Sequence, residues 1–324
     1  MFYRLRRMTS PGLLAATFGL PASALAQDGI GTTGAPVLQF LAGSRAAAFS
    51  GAYTAAIADA DALFYNPAGA AGLDGAVSLS YQRHVEDIAF GSIAGVLAVG
   101  PVALGLGAAY FDAGEVPVTV PDPAYGGERG RETGETAAAR ESAVRLAAAL
   151  PLGRFHIGAA AGFVSSDLAG ITRSAPIFDL GAQFVLDRVT LGASLRNLGG
   201  DMTGADAQDT PLPTELRAGA MLELAGTRGL GVRLAADVIS DIRAGTATVA
   251  GGVEAGILPG ATRRLSAVAR VGLDTEGQGD GGLGAIRVGG GIALDDFAVD
   301  YTYQQLDFFG AIHRFGIRWS RAPR

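Results

Sequence analysis

Hydrophobic and polar residues alternate one by one along most of the chain from residue 77 onward. In the run from Val189 to Arg196, Val, Leu, Ala and Leu occupy one set of positions while Thr, Gly, Ser and Arg occupy the other. The same alternation recurs in residues 230–238 and 297–304. A repeat of two is the period of a β-strand, whose successive side chains point to opposite faces. The pattern therefore predicts an all-β fold.

Fourteen segments carry this pattern, an even number that is typical of single-chain bacterial outer-membrane barrels. Short connections alternate with longer polar ones, of which 113–140 is the longest, as periplasmic turns alternate with extracellular loops in such barrels. The predicted strands are 77–84, 88–99, 101–112, 141–151, 154–165, 175–186, 189–197, 214–224, 230–239, 246–258, 265–274, 284–294, 297–304 and 313–319.

The composition of the polar face decides between two all-β architectures. A soluble β-sandwich also has alternating strands, but its polar face meets water and is rich in long charged side chains. Here that face is mostly Gly and Ala with a few charges, which suits the narrow lumen of a barrel. Aromatic residues near strand ends, among them Tyr81, Tyr110, Phe111 and Tyr301, are typical of the girdles of membrane barrels. The sequence therefore favours a 14-stranded antiparallel transmembrane β-barrel over a sandwich.

The first 26 residues have the features of a signal peptide. Three arginines precede an apolar stretch from Leu13 to Leu20, and the small residues Ala24 and Ala26 form a cleavage site before Gln27. No later stretch supplies the run of about eighteen apolar residues that a membrane-spanning helix needs. We therefore expect Sec-type export, removal of the signal, and insertion into the outer membrane of a Gram-negative cell.

Composition excludes several classes of function. The chain has no cysteine, so it has neither disulfides nor thiolate metal sites. Its net charge of −6 makes nucleic acid an unexpected partner. A dinucleotide-like glycine motif at 279–284 lacks the helix that such a motif needs, and the histidines lack metal-ligand spacing. The prediction is a non-enzymatic protein with no catalytic residue, cofactor or metal.

Charged residues recur on the predicted lumenal face, and two interpretations of them stay open. Arginine and carboxylate groups pair across the lumen, because a charge in a confined site needs a partner. Alternatively, the arginines line a path for an anionic substrate, whose carboxylate they would bind. We favour pairing. The residues concerned are Arg145, Arg196, Arg217, Arg233, Arg270 and Arg287, with Asp237, Glu254 and Asp300.

Residues 27–76 precede the first predicted strand and show no regular alternation. Asn66 and Pro67 favour a turn, because proline fixes its own φ and disfavours helix at the preceding residue. A segment of this length attached to a barrel lies in the lumen or in the periplasm. Our hypothesis is a compact lumenal plug, with Phe64 and Tyr65 packed against the inner wall. The predicted domains are a signal peptide (1–26), a hatch or plug (27–76) and a barrel (77–324).

Motifs of the same segment resemble the N-terminal signature of the PorV/PorQ family, which is similar to the FadL/TodX long-chain fatty-acid transporters. They are Gly43-Ser44-Arg45, Gly51-Ala52-Tyr53-Thr54-Ala55, Ala58-Asp59-Ala60-Asp61-Ala62 and Phe64-Tyr65-Asn66-Pro67-Ala68-Gly69. Further matches at 195–199, 212–219, 300–301 and 313–315 extend the resemblance over essentially the whole mature chain. The hatch residues that it implies are Gly51, Asp59, Asp61, Phe64, Tyr65, Asn66, Pro67 and Gly69.

The resemblance implies an outer-membrane barrel that serves transport or type IX secretion. Its partners would be outer-membrane lipid, exported cargo proteins and other secretion components, with cargo contacts on the loops 113–140 and 198–213. The alternative is a FadL-like channel for long-chain fatty acids or other hydrophobic small molecules. At 324 residues the chain is shorter than typical FadL transporters, which argues against a large extracellular ligand-capture region.

Overall fold

The computed structural model describes residues 33–83, 88–204, 209–225, 230–257, 265–275, 286–306 and 310–321. The predicted signal peptide and the first residues of the predicted plug lie outside these ranges. Every one of the predicted strands is present. The strands are β1 Gly75–Arg83, β2 Ala89–Val99, β3 Val102–Pro121, β4 Gly130–Leu152, β5 Phe155–Leu168, β6 Ile171–Val185, β7 Val189–Leu198, β8 Thr203–Gly204, β9 Glu215–Ala225, β10 Leu230–Asp241, β11 Thr246–Ile257, β12 Leu265–Asp274, β13 Arg287–Leu294, β14 Phe297–Leu306 and β15 Gly310–Arg321.

The strands form one sheet that closes on itself. Each strand of the wall pairs antiparallel with the next, and β1 pairs with β15 from Gly75 to Arg83. The short strand β8 pairs only with β6 and stands outside this ring, so β7 pairs directly with β9. Closure leaves no unpaired edge in the wall. The predicted 14-stranded antiparallel barrel is confirmed.

The wall is apolar outside and polar inside. Along β1, Val77 and Leu79 are exposed on the outer face, whereas Ser78 and Ser80 on the inner face are each only 2% exposed. This distribution is the reverse of that in a soluble protein and suits an outer face that meets hydrocarbon. Among the described residues, no helix is long and apolar enough to cross a membrane.

The longest predicted loop is largely a β-ribbon. Strand β3 continues to Pro121 and β4 begins at Gly130, while pairing with the neighbouring strands stops at Asp112 and Ala139. The outer parts of β3 and β4 therefore pair only with each other and project from the barrel. The prediction that residues 113–140 form a loop was wrong because prolines within the run, such as Pro117, argue against a central strand, whereas an edge strand tolerates them.

Two further connections differ from the predicted loops. The connection at 166–174 is mostly strand, because only two residues separate β5 from β6. In the connection at 198–213, the described residues 198–204 and 209–213 pack inward instead of forming an open external loop: Met202 and Leu212 are 1% and 0% exposed. The Gly34 amide donates a hydrogen bond of 2.9 Å to the Pro211 carbonyl, which joins this connection to the start of the described chain.

Residues 33–74, which we call the N-terminal segment, lie inside the barrel. The segment contains the helix α1 (Ser44–Ala48) and short 3-10 helices at Pro36–Leu38, Ala60–Phe64 and Pro67–Ala70. Its side chains approach the inner face on every side, with Leu63 against β3, Pro67 against β5, Phe49 against β11 and Ser44 against β15. The segment therefore contacts the inner wall on opposite sides of the lumen.

Candidate functional site in the lumen

Asn66 fastens the N-terminal segment to the barrel wall. Its side-chain oxygen accepts a hydrogen bond from the Ala68 amide at 3.1 Å, which caps the following 3-10 helix. Its amide group donates to the carbonyls of Thr54 at 2.8 Å, Ala182 of β6 at 3.1 Å and Ala193 of β7 at 3.3 Å. One side chain therefore links two parts of the segment with two strands.

The wall carries glycine where the turn comes closest. A Cβ on Gly181 would collide with the Asn66 side chain, and one on Gly158 would collide with the backbone of Pro67 and Ala68. A larger residue at either position forces the turn or the strand to move. The Asn-Pro turn and the glycines opposite it therefore form one close-packed contact.

The two aromatic residues before this turn have different surroundings. Phe64 packs against β3, where a Cβ on Gly107 would lie 3.2 Å from its ring. Tyr65 donates a hydrogen bond of 2.8 Å to the Ala42 carbonyl, and the guanidinium carbon of Arg217 lies 5.2 Å from its ring centroid. Phe64 thus has the predicted contact with the inner wall, whereas Tyr65 is held mainly by polar and cation–π contacts.

Asp59 is a shared acceptor at the start of the 3-10 helix Ala60–Phe64. Its carboxylate accepts from the Tyr53 hydroxyl at 2.8 Å and pairs with Arg45 at 3.1 Å and with Arg318 of β15 at 3.4 Å. Burial alone disfavours ionisation, but Arg318 and Arg45 together hold the pKa of Asp59 below its ordinary value. Asp59 is therefore an ionised link between the segment and the wall.

Asp61, two residues later, has the opposite character. Burial, reinforced by the negative charge of Asp59, raises the pKa of Asp61 to about 7. One of its carboxyl oxygens is buried against Gly43 without a hydrogen-bond partner in the described structure. The two acidic residues of the motif therefore differ in protonation near neutral pH.

The glycines of the motif permit close backbone approach. Gly51 has φ of +78°, a conformation that favours glycine, and its carbonyl accepts a hydrogen bond of 2.5 Å from Arg217. A Cβ on Gly69 would collide with the Ala56 carbonyl and with Ala62. Each predicted hatch residue thus lies inside the lumen.

Charged side chains form an alternating row across the inner face of β9 to β15. Each member of the row forms an ion pair with the next. The nitrogen–oxygen distances are 2.6–2.7 Å, apart from the pair of Arg233 with Glu254, which is also in contact. Strand β13 has Gly291 at this level, and a Cβ on Gly291 would collide with Asp300. The glycine therefore leaves room for the ion pair between Arg270 of β12 and Asp300 of β14 to cross β13. The row consists of Glu223, Arg233, Glu254, Arg270, Asp300 and Arg318.

The remaining predicted lumenal charges are also paired. Each of these arginines contacts at least one carboxylate, and Asp237 additionally accepts hydrogen bonds from the Tyr53 and Thr54 amides at 3.1 and 3.0 Å. Pairing accounts for these charges without a substrate. The pairs are Arg145 with Asp179, Arg196 with Glu215, Arg217 with Asp237 and Glu215, and Arg287 with Asp274.

A cavity of 560 Å³ lies between the segment and the end of the barrel that carries the short turns. Its lining includes Ile57 from the segment, the turn residues Asp187 and Arg188, and members of the charged row such as Arg233 and Arg318. No group of three or more His, Cys, Asp or Glu side chains able to hold a metal ion occurs in the described part of the chain.

Phe111, which the sequence analysis placed in the aromatic girdle, points into the lumen instead. Phe111 is 8% exposed on the inner face, next to Phe90 at 1%. The alternation contains the signal for this placement, because Phe111 has the same parity along β3 as the buried Ala103 and Ala109. These phenylalanines belong to the lumen near the loop end.

No family model matches the sequence, and no curated protein does. Solved structures do match. The Ralstonia pickettii toluene transporter TbuX has a TM-score of 0.58 at 14% identity, over 86% of this chain and 98% of the transporter. The chain has the fold of a known outer-membrane barrel.

Two further structures show the same fold. The Pseudomonas putida toluene transporter TodX has a TM-score of 0.54 at 11% identity, over 85% of this chain and 96% of TodX. A Pseudomonas aeruginosa FadL homologue has a TM-score of 0.50 at 12% identity, over 86% of this chain and 98% of the homologue. At these identities the likeness concerns the fold.

Proposed function

We propose that the chain is a non-enzymatic channel of the Gram-negative outer membrane for small hydrophobic molecules, and that the N-terminal segment, residues 33–74, forms its plug. The observation that carries the proposal is a closed barrel, apolar on its outer face, whose lumen contains its own N-terminal segment in contact with the wall. The named toluene transporters with this fold support hydrophobic cargo. Of the two functions implied by the sequence, the comparisons favour the channel.

A disulfide lock tests whether the segment gates passage. The hydroxyl oxygens of Ser44 in α1 and Thr302 in β14 lie 3.2 Å apart. Because the chain has no cysteine, Ser44→Cys with Thr302→Cys introduces a single disulfide between these two elements. We expect cells that carry the unmodified chain to take up labelled toluene faster than cells without it. The oxidised double variant should lose this uptake, and reduction should restore it.

The two single-cysteine variants are the matched controls, since they carry the same substitutions without the bond. Uptake by the oxidised double variant at the rate of the reduced form would reject the plug as a gate. Uptake no faster than in cells without the barrel would reject the hydrocarbon channel itself.

The type IX secretion role of PorV/PorQ-like barrels is a second candidate, favoured by the ribbon of β3 and β4. This ribbon projects beyond the wall and carries exposed Val116 and Tyr125, a surface suited to a protein partner. Replacing residues 113–139 with a short turn should abolish capture of exported cargo if secretion is the function. The same deletion should leave toluene uptake intact if the channel is the function.

A further inference from the structure

Three inward side chains on neighbouring strands form a row near the loop end of the barrel. Phe90 of β2 lies opposite Phe111 of β3, which in turn lies opposite Glu141 of β4. All three are more than nine-tenths buried, at 1%, 8% and 7% exposure. The wall therefore presents an aromatic pair and a carboxylate side by side to the lumen.

The chain itself occupies this row, through residues 36–40, which we call the strap. The Phe40 ring stacks on Phe90 with centroids 5.3 Å apart and an interplanar angle of 19°, and it lies 5.0 Å from Phe111. The Val37 amide donates a hydrogen bond of 2.8 Å to the Glu141 carboxylate. The strap thus offers an aromatic ring to the phenylalanines and a donor to the carboxylate.

Glu141 differs from the buried carboxylates of the charged row. Glu254 and Asp300 each contact arginines, whereas in the described part of the chain Glu141 is bonded only by the Val37 amide and the Ser166 hydroxyl. A buried carboxylate without a counter-charge is costly. A ligand that brings a positive charge to this position removes that cost.

We propose that Phe90, Phe111 and Glu141 form a binding site for a small aromatic amine, which enters from the loop end and displaces the strap. The ligand's ring takes the place of Phe40 between the phenylalanines, where offset or tilted aromatic pairs are favourable. Its ammonium group replaces the Val37 amide at Glu141 as a charge-assisted hydrogen bond. The site deepens the proposed channel function by naming a substrate class.

The strap makes the site self-occluding. Without ligand, Phe40 and the Val37 amide satisfy the aromatic pair and the carboxylate. A hydrocarbon replaces only the ring contact and leaves Glu141 with the Ser166 hydroxyl as a donor but without the Val37 amide, which costs free energy. Glu141 therefore sets a preference for an amine over a neutral molecule of the same shape.

Isothermal titration of the purified full chain in detergent tests the site with 2-phenylethylamine and its neutral isostere 2-phenylethanol. We expect the amine to bind about tenfold more tightly or better, the usual contribution of a hydrogen bond between charged groups. Glu141→Gln should bring the two affinities together, chiefly by weakening the binding of the amine. Equal affinities in the unmodified chain, or a preference that survives Glu141→Gln, would overturn the proposal.

A second variant keeps the test independent of folding. Phe40→Ala removes the competing ring but no wall residue, so both ligands should bind more tightly, whereas Phe111→Ala should weaken both. A loss of affinity in Phe40→Ala would mean that Phe40 supports the site instead of occluding it, and would count against displacement.

The outcome is separable from that of the channel proposal. Titration measures binding without passage, and toluene uptake measures passage without an amine. Amine binding that depends on Glu141 in a chain that fails to carry toluene would reject the channel and keep the site. Toluene uptake by a chain that binds both probes equally would keep the channel and reject the site.

Discussion

The inner wall holds the N-terminal segment by different means on its two sides. On β3 to β7, glycines such as Gly107, Gly158 and Gly181 let the backbone and side chains of the segment approach the wall closely. On β10 to β15, contact also depends on ion pairs, among them those of Glu254 with Arg45 and of Arg318 with Asp59. The first side is complementary mainly in shape, whereas the second combines close packing with complementary charge.

The two means of attachment respond to different changes. A close-packed contact fails when volume is added, because neither backbone can give way. A buried ion pair fails when one charge is removed, because its partner stays buried and uncompensated. Removing a charge without changing the size of the side chain on one side, and adding a methyl group on the other, therefore separates the two contributions.

The largest effect is expected on the charged side. Glu254 contacts Arg45, Arg233 and Arg270, so Glu254→Gln leaves several guanidinium groups without their shared acceptor. We expect the free energy of unfolding to fall by about 3–5 kcal/mol. Chemical denaturation in detergent measures it, and a change within about 0.5 kcal/mol would show that the row is not stabilised by its charges.

The next effect is expected on the glycine side. Gly158→Ala places a methyl group into the backbone of Pro67 and Ala68, with an expected loss of about 1–3 kcal/mol. Gly95→Ala is the matched control, since nothing lies within 4 Å of its Cβ position. Equal stability of the two variants would show that the turn adjusts freely to the wall.

A smaller effect depends on pH. Because the pKa of Asp61 is raised to about 7, its protonated form stabilises the fold at low pH, and this contribution is lost as the pH rises through about 7. Asp61→Asn should remove the loss, which between pH 6 and pH 8 is about 1.4 kcal/mol, because about one pH unit of that range lies below the pKa of Asp61 and one unit corresponds to about 1.4 kcal/mol. Thermal unfolding at both pH values measures it.

Asp59→Asn is the control for this pH effect. Because the pKa of Asp59 is lowered, its ion pairs are intact at both pH values, so this variant should be destabilised at pH 6 as well as at pH 8. The destabilisation should be smaller at pH 8, because removing the Asp59 charge lowers the pKa of Asp61. A pH dependence in Asp61→Asn as steep as that of the unmodified chain would assign the titration to another group.

The smallest effect is expected outside both sides, on the ribbon. Glu115 pairs with Arg140 at 3.1 Å, but the two side chains are 53% and 50% exposed. Glu115→Gln should change the free energy of unfolding by less than about 1 kcal/mol, as for most exposed ion pairs. A loss as large as that of Glu254→Gln would mean that the ribbon is coupled to the lumen.

Sequence reasoning was most successful where a local pattern has one structural outcome. Alternation located every wall strand, and it put Arg145, Glu254 and Asp300 on the inner face. It failed in the ribbon, because Pro117 has the same local meaning in a loop and in an edge strand. It also placed Phe111 among the girdle residues, since position near a strand end was weighed above parity.

The alternation of hydrophobic and polar residues did not predict which side chains contact each other in the lumen. Val37 and Glu141 are 104 residues apart and share no motif, so their hydrogen bond depends on where the strap lies inside the barrel. The pairing of Arg45 with Glu254 likewise joins a segment without regular alternation to a strand. Such contacts follow from register and closure, which no short stretch encodes.

By itself, the sequence determined a barrel of alternating strands with charges on its inner face, because a period of two assigns each side chain to a face. Only the tertiary structure decided which charges meet, where glycine is required and what the segment covers. The physical reason is that alternation is a property of neighbouring residues, whereas the lumen brings together residues up to 270 positions apart, as with Ser44 and Arg314. Whether Asp61 keeps its proton, and whether Glu141 has a counter-charge, are set by those distant neighbours.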